Sequence, residues 1–124
     1  MQADRYKGVA ELEILGEKIG FKFGVATMSL LCDLENDTFK NVVARLDDPT
    51  NVKTQINFYF AAAVCYIRLK NADDKTNLIE PTFDQVANWM DSVSAEVKEK
   101  LNETAFATYQ DPNSQAPQET GQQS

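Results

Sequence analysis

The chain has 124 residues, of which 43% are hydrophobic and 25% charged, so it is long enough for one domain with a modest core. Its net charge of -7 disfavours a general electrostatic affinity for nucleic acid or for an anionic membrane. It contains no histidine, which removes the commonest general base and the commonest metal ligand.

Residues 7–24 predict a β-hairpin. Aliphatic side chains alternate with glutamates over residues 10–14, and Ile19, Phe21 and Phe23 alternate with lysine or glycine in the second arm. We expect a two-residue turn at Gly16-Glu17, because glycine supplies the positive φ that such turns require. Two strands are marginal in water, so helices must cover the apolar face.

Two short helices are predicted next, over residues 25–36 and 38–46. The second carries apolar residues at helical spacing, and either Asp37 or Thr38 is suited to cap it. Pro49 follows two aspartates and ends this segment, since the residue before a proline avoids the helical conformation.

A third helix, over residues 51–70, is the predicted centre of the molecule. It carries two apolar stripes, one through Phe60 and one through Phe58, so it is apolar on most of its circumference. We therefore expect Phe60 to lie in a closed core. Thr50 or Asn51 is suited to cap the helix.

Residues 70–81 read as a loop that is polar except for Leu78 and Ile79. Thr82 and Gln85 form a capping-box pattern that begins a fourth helix over residues 82–92. A fifth helix follows over residues 94–109. The predicted fold class is therefore α+β: one globular domain over residues 1–109, mostly helical, with a hairpin packed on about five helices. Residues 110–124 lack large apolar side chains and predict a disordered tail.

The sequence predicts no catalytic, cofactor-binding or metal-binding residues. The acidic pairs Asp47/Asp48 and Asp73/Asp74 lie beside a proline or in a polar segment, where capping and solvation account for them. The second pair lacks the spacing of a calcium loop, and no glycine-rich phosphate-binding motif occurs.

The sequence also predicts the cellular location of the protein and the redox state of its two cysteines. The N-terminal residues lack the apolar core of a secretory signal, and no apolar run approaches the length of a membrane span, so we expect a cytoplasmic protein. Cys32 and Cys65 fall in predicted helices without a CxxC motif, which favours buried reduced thiols.

The predicted helices carry more aromatic and methionine side chains than a single apolar stripe on each helix requires. They have two interpretations: they complete the core, or they form an apolar patch for a partner protein, since these residue types are enriched at interfaces. The candidate partner-binding residues are Trp89, Met90, Phe106, Tyr109 and Tyr59.

The order of these segments resembles a family, the tail assembly chaperones of long-tailed (siphovirus-like) bacteriophages. The resemblance lies in KGVAELEILGEKIGFKFGVATMSLLCDLEND, in the apolar helix NFYFAAAVCYIRL and in the later segment TFDQVANWMDSV, and it covers about residues 6–109. It implies a non-enzymatic morphogenesis factor, made in the host cytoplasm and absent from the mature virion. Such a protein binds the tape measure protein, keeps it soluble and helps to recruit tail tube subunits.

Two other classes of function stay open. An acidic immunity, antitoxin or inhibitor module would bind a basic partner through carboxylates, and salt would weaken that binding steeply. A small enzyme using Asp, Glu or Tyr would require a closed pocket with converging carboxylates. The oligomeric state is also open, because the sequence allows a monomer as well as a homo-oligomeric ring or filament.

Overall fold

The computed structural model describes residues 7–110, which form an antiparallel β-hairpin and five helices. This confirms the predicted α+β class. The predicted tail lies outside the described residues, apart from Gln110, which ends the last helix. In chain order the elements are β1 (Val9–Ile14), β2 (Glu17–Lys22), α1 (Val25–Glu35), α2 (Phe39–Leu46), α3 (Val52–Asp74), α4 (Phe83–Ser92) and α5 (Ala95–Gln110).

The hairpin turn lies one residue earlier than predicted. Ile14 pairs with Glu17, so the two turn residues are Leu15 and Gly16, with φ values of 54° and 79°. Positive φ at both positions is typical of a type I′ turn, and glycine is the preferred residue at the second position of such a turn. The prediction of Gly16-Glu17 was wrong because it assigned this glycine to the first position.

Both faces of β2 are covered, although the sequence pattern predicted only one buried face. Ile19, Gly20 and Phe21 are consecutive and all buried. Phe21 lies edge-on to Tyr59 of α3, with ring centroids 6.4 Å apart. On the opposite face, Tyr66 of α3 lies against Gly20. Strand β2 is therefore embedded beside α3, whereas β1 is the outer strand.

Helix α3 is longer than predicted, extending to Asp74 instead of residue 70. Its last turns are polar, and that composition resembled a loop in the sequence. Lys70 and Asp74 form an i,i+4 ion pair of 3.3 Å, which supports the final turn. Lys75 then ends the helix in the left-handed conformation. At the other end, the Asn51 side chain caps the helix by accepting from the Thr54 amide at 3.3 Å.

The core surrounds the first half of α3. Phe58 is buried there, and its ring centroid lies 5.3 Å from that of Phe23 and 6.2 Å from that of Tyr109. Phe60 is only half-buried and faces the Phe83 ring of α4 at 6.2 Å, so the expectation of a closed site at Phe60 was wrong. The other elements supply fully buried side chains, namely Phe21, Phe23, Leu31, Val42, Val86 and Leu101.

The last two helices begin with side-chain caps, and the last one returns to the hairpin. Thr82 and Gln85 form the predicted capping box of α4. The Ser94 hydroxyl accepts from the Val97 amide at 3.2 Å and so caps α5. Near the end of α5, the Tyr109 hydroxyl donates to the Gly24 carbonyl at 2.8 Å. The Gly24 amide in turn donates to that hydroxyl at 2.7 Å, which ties α5 to the start of α1.

Both cysteines are free and half-buried. Burial raises the pKa of the Cys32 and Cys65 thiols, which keeps them protonated at neutral pH. None of the helices between residues 7 and 110 combines the length and apolarity needed to cross a membrane.

Candidate functional site

A surface groove lies between the hairpin, the second half of α3, the segment 75–82 and α4. We call it the loop groove, and its volume is about 650 Å³. Its lining combines an apolar floor with a charged rim. The apolar side chains that line it are Ile19, Ala63, Ile67, Leu78, Ile79 and Trp89.

Two of these aliphatic side chains are strongly exposed. Leu78 is 47% exposed and Ile79 is 90% exposed, the highest value among the large hydrophobic residues in the described part of the chain. Single exposed aliphatics are ordinary on protein surfaces, but two adjacent ones beside an apolar groove form a contiguous patch. Such a patch is typical of a surface that is covered by a partner.

The segment that carries this patch is held against α3. The Asn71 side chain donates to the Leu78 carbonyl at 3.0 Å and accepts from the Leu78 amide at 2.8 Å. The same Asn71 oxygen accepts from the Thr76 hydroxyl at 2.8 Å. Further along, Arg68 Nε donates to Glu80 Oε2 at 2.8 Å. The two aliphatic side chains are therefore presented by a fixed backbone, which lowers the entropy cost of binding.

The hairpin side of the groove is held by Tyr66. Its ring lies so close to Gly20 that a Cβ at this position would lie 2.3 Å from the ring carbon Cζ. The Tyr66 hydroxyl donates to Glu11, and Lys18 Nζ lies 3.3 Å from the other oxygen of that carboxylate. These interactions, the Tyr66 hydrogen bond first, lower the pKa of Glu11, so it is ionised at neutral pH.

The charges around the groove are largely paired within the protein. Glu11 interacts with Lys18, Glu80 with Arg68, and Lys70 with Asp74. Paired charges of both signs create little long-range attraction for a charged ligand. The apolar floor and the exposed aliphatic pair are therefore the dominant binding features of the groove.

The five candidate partner-binding residues do not form one surface. Trp89 is half-buried and lines the loop groove. Met90 and Tyr59 are 5% and 6% exposed, and both line a second cleft of about 500 Å³ between the α2–α3 connection, α4 and α5. Phe106 is 68% exposed on α5, and Tyr109 is held by Gly24. Only Trp89 lies beside the exposed aliphatic pair.

Polar contacts tie together the walls of the second cleft. The Tyr59 hydroxyl donates to Asn102 of α5, and the Gln55 side chain donates to the Leu46 carbonyl at 2.7 Å. Burial, the largest influence, raises the pKa of Tyr59, which is therefore neutral. Val52 is the only lining residue among the strongly exposed large hydrophobics of the described chain. The loop groove, by contrast, has two adjacent side chains of this kind, Leu78 and Ile79.

One nearly buried carboxylate was missed in the sequence. Glu35, at the end of α1, has a side chain only 9% exposed. Its Oε1 accepts from Arg45 Nε and from the Thr54 hydroxyl, each at 2.9 Å, and its Oε2 accepts from Asn57 Nδ2 at 2.6 Å. The carboxylate thus joins α1, α2 and α3. All of these interactions are internal, which indicates a structural role.

Leu78 and Ile79 were also missed as site residues. The available signal was the presence of two adjacent aliphatics inside a polar segment, which has no reason to be apolar if it only connects two helices. For Glu35, the signal was a pair of polar residues, Thr54 and Asn57, on an otherwise apolar helix face. Among residues 7–110, no three acidic or cysteine side chains are grouped as metal ligands.

Comparisons with protein-family models, with curated proteins and with solved structures found no match to this chain. The function is therefore inferred from the groove and from the order of sequence segments.

Proposed function

We propose that this protein is a phage tail assembly chaperone that binds an apolar helical segment of the tape measure protein in the loop groove. The observation that carries the proposal is the exposed pair Leu78 and Ile79, held in place by Asn71 beside an apolar groove. A tape measure protein is expected to have long helices with apolar faces. Covering such a face keeps the helix from aggregating before assembly.

We infer that the occupant of the groove is a helix. An amphipathic helix presents apolar anchors at i, i+3, i+4 and i+7, and a groove between packed elements accepts these anchors in a row. Leu78 and Ile79 flank one side of the groove, and Trp89 contributes an aromatic surface of the kind enriched at interfaces. The proposed role requires binding and release of the client without any chemical step.

Recruitment of tail tube subunits is the second part of the proposed role and rests on the resemblance in residues 6–109. The strongly exposed Phe106 on α5 is available for a second contact, because it lies outside the residues that line the loop groove. The proposed location is the host cytoplasm during assembly.

Co-expression with the tape measure protein of the same phage tests the proposal. The double variant Leu78→Ser/Ile79→Ser removes the exposed aliphatic pair and should return most of the client to the insoluble fraction. Because both side chains are already exposed, the variant should unfold at nearly the same temperature as the wild type. Leu15→Ser is the matched control, since Leu15 is 62% exposed at the hairpin turn, outside the groove.

Two results of the co-expression experiment would contradict the proposal. If the double variant keeps the client as soluble as the wild type does, the loop groove is not the client-binding surface. A client that is equally insoluble with and without the wild-type chain would reject the chaperone function itself.

A further inference from the structure

Strand β1 has an open hydrogen-bonding edge. The sheet in the described part of the chain consists of β1 and β2 alone, so each strand has one edge that faces away from its partner. Strand β2 is covered by two helices, because Gly20 is buried against Tyr66 of α3 and the outward Lys22 carbonyl accepts from the Thr27 hydroxyl of α1. Among residues 7–110, α5 contacts β1 and lies against Gly8 through Thr108, whereas Glu11 and Glu13 at the centre of β1 are exposed.

The register shows which residues point their backbone groups outwards. Ile14 and Glu17 flank a two-residue turn and therefore form a hydrogen-bonded pair. The Phe23 amide donates to the Gly8 carbonyl at 2.9 Å, so Gly8 and Phe23 form a second hydrogen-bonded pair. Gly8 lies six residues before Ile14, an even number, which fits the same alternation along β1. Even-numbered residues of β1 thus bond to β2. The N–H and C=O groups of Val9, Glu11 and Glu13 point to the open edge.

The side chains along this edge have an alternating character. Glu11 and Glu13 lie on one face of the strand, whereas Ala10 and Leu12 lie on the other and pack against the core. The Glu13 carboxylate has no ion pair or hydrogen bond with another residue between 7 and 110. A strand added at this edge would place its own side chains directly beside these residues.

This charge pattern selects one kind of occupant. A second copy of β1 would bring glutamates beside Glu11 and Glu13, and like charges on neighbouring strands are destabilising. A strand with basic side chains on that face would gain opposite-charge pairs, and aliphatic side chains on its other face would extend the apolar surface of Ala10 and Leu12.

We propose that the β1 edge is a strand-addition site for an extended segment of another protein in which basic and aliphatic side chains alternate. The backbone groups of Val9, Glu11 and Glu13 supply the hydrogen bonds, and the charge is selected chiefly by Glu13, because Glu11 is already paired with Lys18. This site differs from the proposed helix-binding function of the loop groove because it uses a strand edge and an extended partner, although Glu11 borders both.

Titration of the full chain with a short peptide of alternating lysine and valine, followed by nuclear magnetic resonance, tests the proposal. The backbone amide signals of Val9, Glu11 and Glu13 should shift most, because their N–H groups gain hydrogen bonds. The matched peptide of alternating glutamate and valine should bind at least about tenfold more weakly, since the attractions to Glu11 and Glu13 become repulsions. Equal binding of the two peptides, or the largest shifts elsewhere, would overturn the proposal.

Two variants separate backbone from charge effects. Glu13→Pro removes an outward N–H without touching the bonds to β2, so the hairpin should persist and peptide binding should be lost. Glu13→Lys should shift the preference towards the glutamate peptide. Glu17→Gln is the control, because Glu17 is an exposed glutamate of β2 away from this edge, and it should bind like the wild type. Unchanged affinity in Glu13→Pro would contradict the site, as would self-association of the chain through β1.

Discussion

Gly20 is a residue at which the hairpin and α3 lie in close contact. A methyl group there would meet the ring of Tyr66 at 2.3 Å, so the ring must move and its contact with Glu11 must be disturbed. We expect Gly20→Ala to lower the free energy of unfolding by roughly 1–3 kcal/mol, as for other overpacked sites. Urea unfolding of the variant measures this change.

The control for Gly20 is another glycine of the same region. Gly24 has extended backbone, and the nearest heavy atom to an added Cβ is Lys22 Nζ at 3.7 Å. Gly24→Ser should therefore be nearly neutral, since serine is also favoured at the start of a helix. In a Tyr66→Ala background the cost of Gly20→Ala should largely disappear. A penalty that persists there would mean that the ring is not its cause.

Glu35 makes stability depend on pH. Burial, the largest single influence, acts to raise its pKa, but hydrogen bonds from Asn57, Thr54 and Arg45 outweigh it, and the pKa is lowered. A carboxyl whose pKa is lower in the folded state adds stability above its ordinary pKa, and this contribution is lost as the pH falls through the lowered value.

We therefore expect Glu35→Gln to cost about 1–3 kcal/mol of unfolding free energy at neutral pH, because the buried donors lose a charged acceptor. The difference from the wild type should shrink as the pH falls through the lowered pKa of Glu35, because the wild-type carboxyl then becomes protonated as well. Urea unfolding at a series of pH values from neutral into this acidic range measures the change, with the exposed Glu103→Gln as control. A difference that stays constant across this range would contradict the assigned ionisation.

At the scale of elements, the hairpin turn contains a removable strain. Leu15 adopts φ of 54°, a region that suits asparagine or glycine better than leucine. Leu15→Asn creates the Asn-Gly pair that type I′ turns prefer, and it should raise the free energy of unfolding by roughly 0.5–1 kcal/mol. Chemical denaturation checks this. A loss of stability would show that Leu15 makes a contact that outweighs the strain.

Helix α3 gives a second prediction at this scale. Phe58 is 8% exposed and contacts aromatic rings from the hairpin and from α5, whereas Phe60 is half-buried against α4. Phe58→Ala should cost about 3–5 kcal/mol. Phe60→Ala should cost less, about 1–2 kcal/mol, because less apolar area is lost. Thermal melting of both variants ranks them, and the reverse order would refute this description of the core.

Local signals in the sequence predicted the elements well but predicted less about their contacts. Helix caps such as Thr82 with Gln85 depend on residues three apart, so the sequence alone was sufficient. The sequence did not predict the polar last turn of α3, because the same residues suit either a loop or an exposed helical turn. The Glu35 cluster and the close contact of Gly20 with Tyr66 join distant segments, and no short-range pattern encodes them.

At the scale of the whole molecule, a central helix holds the hairpin on one side and α4 on the other, and the loop groove lies between them. The candidate site was only partly predictable. Trp89 was identified from its residue type, whereas Leu78 and Ile79 became significant only when their segment was found fixed beside the groove. Exposure is a property of the assembled fold, so sequence pattern alone does not predict it.

The dependence of client affinity on salt tests the central claim most directly. We expect the dissociation constant of the complex with the tape measure protein to change by less than about threefold between low and high salt, because the groove charges are already paired. Leu78→Ser/Ile79→Ser should weaken binding at least about tenfold, since two buried aliphatic contacts are lost. Steep weakening by salt, together with unchanged affinity in the double variant, would contradict the apolar chaperone groove and favour an acidic inhibitor-type module.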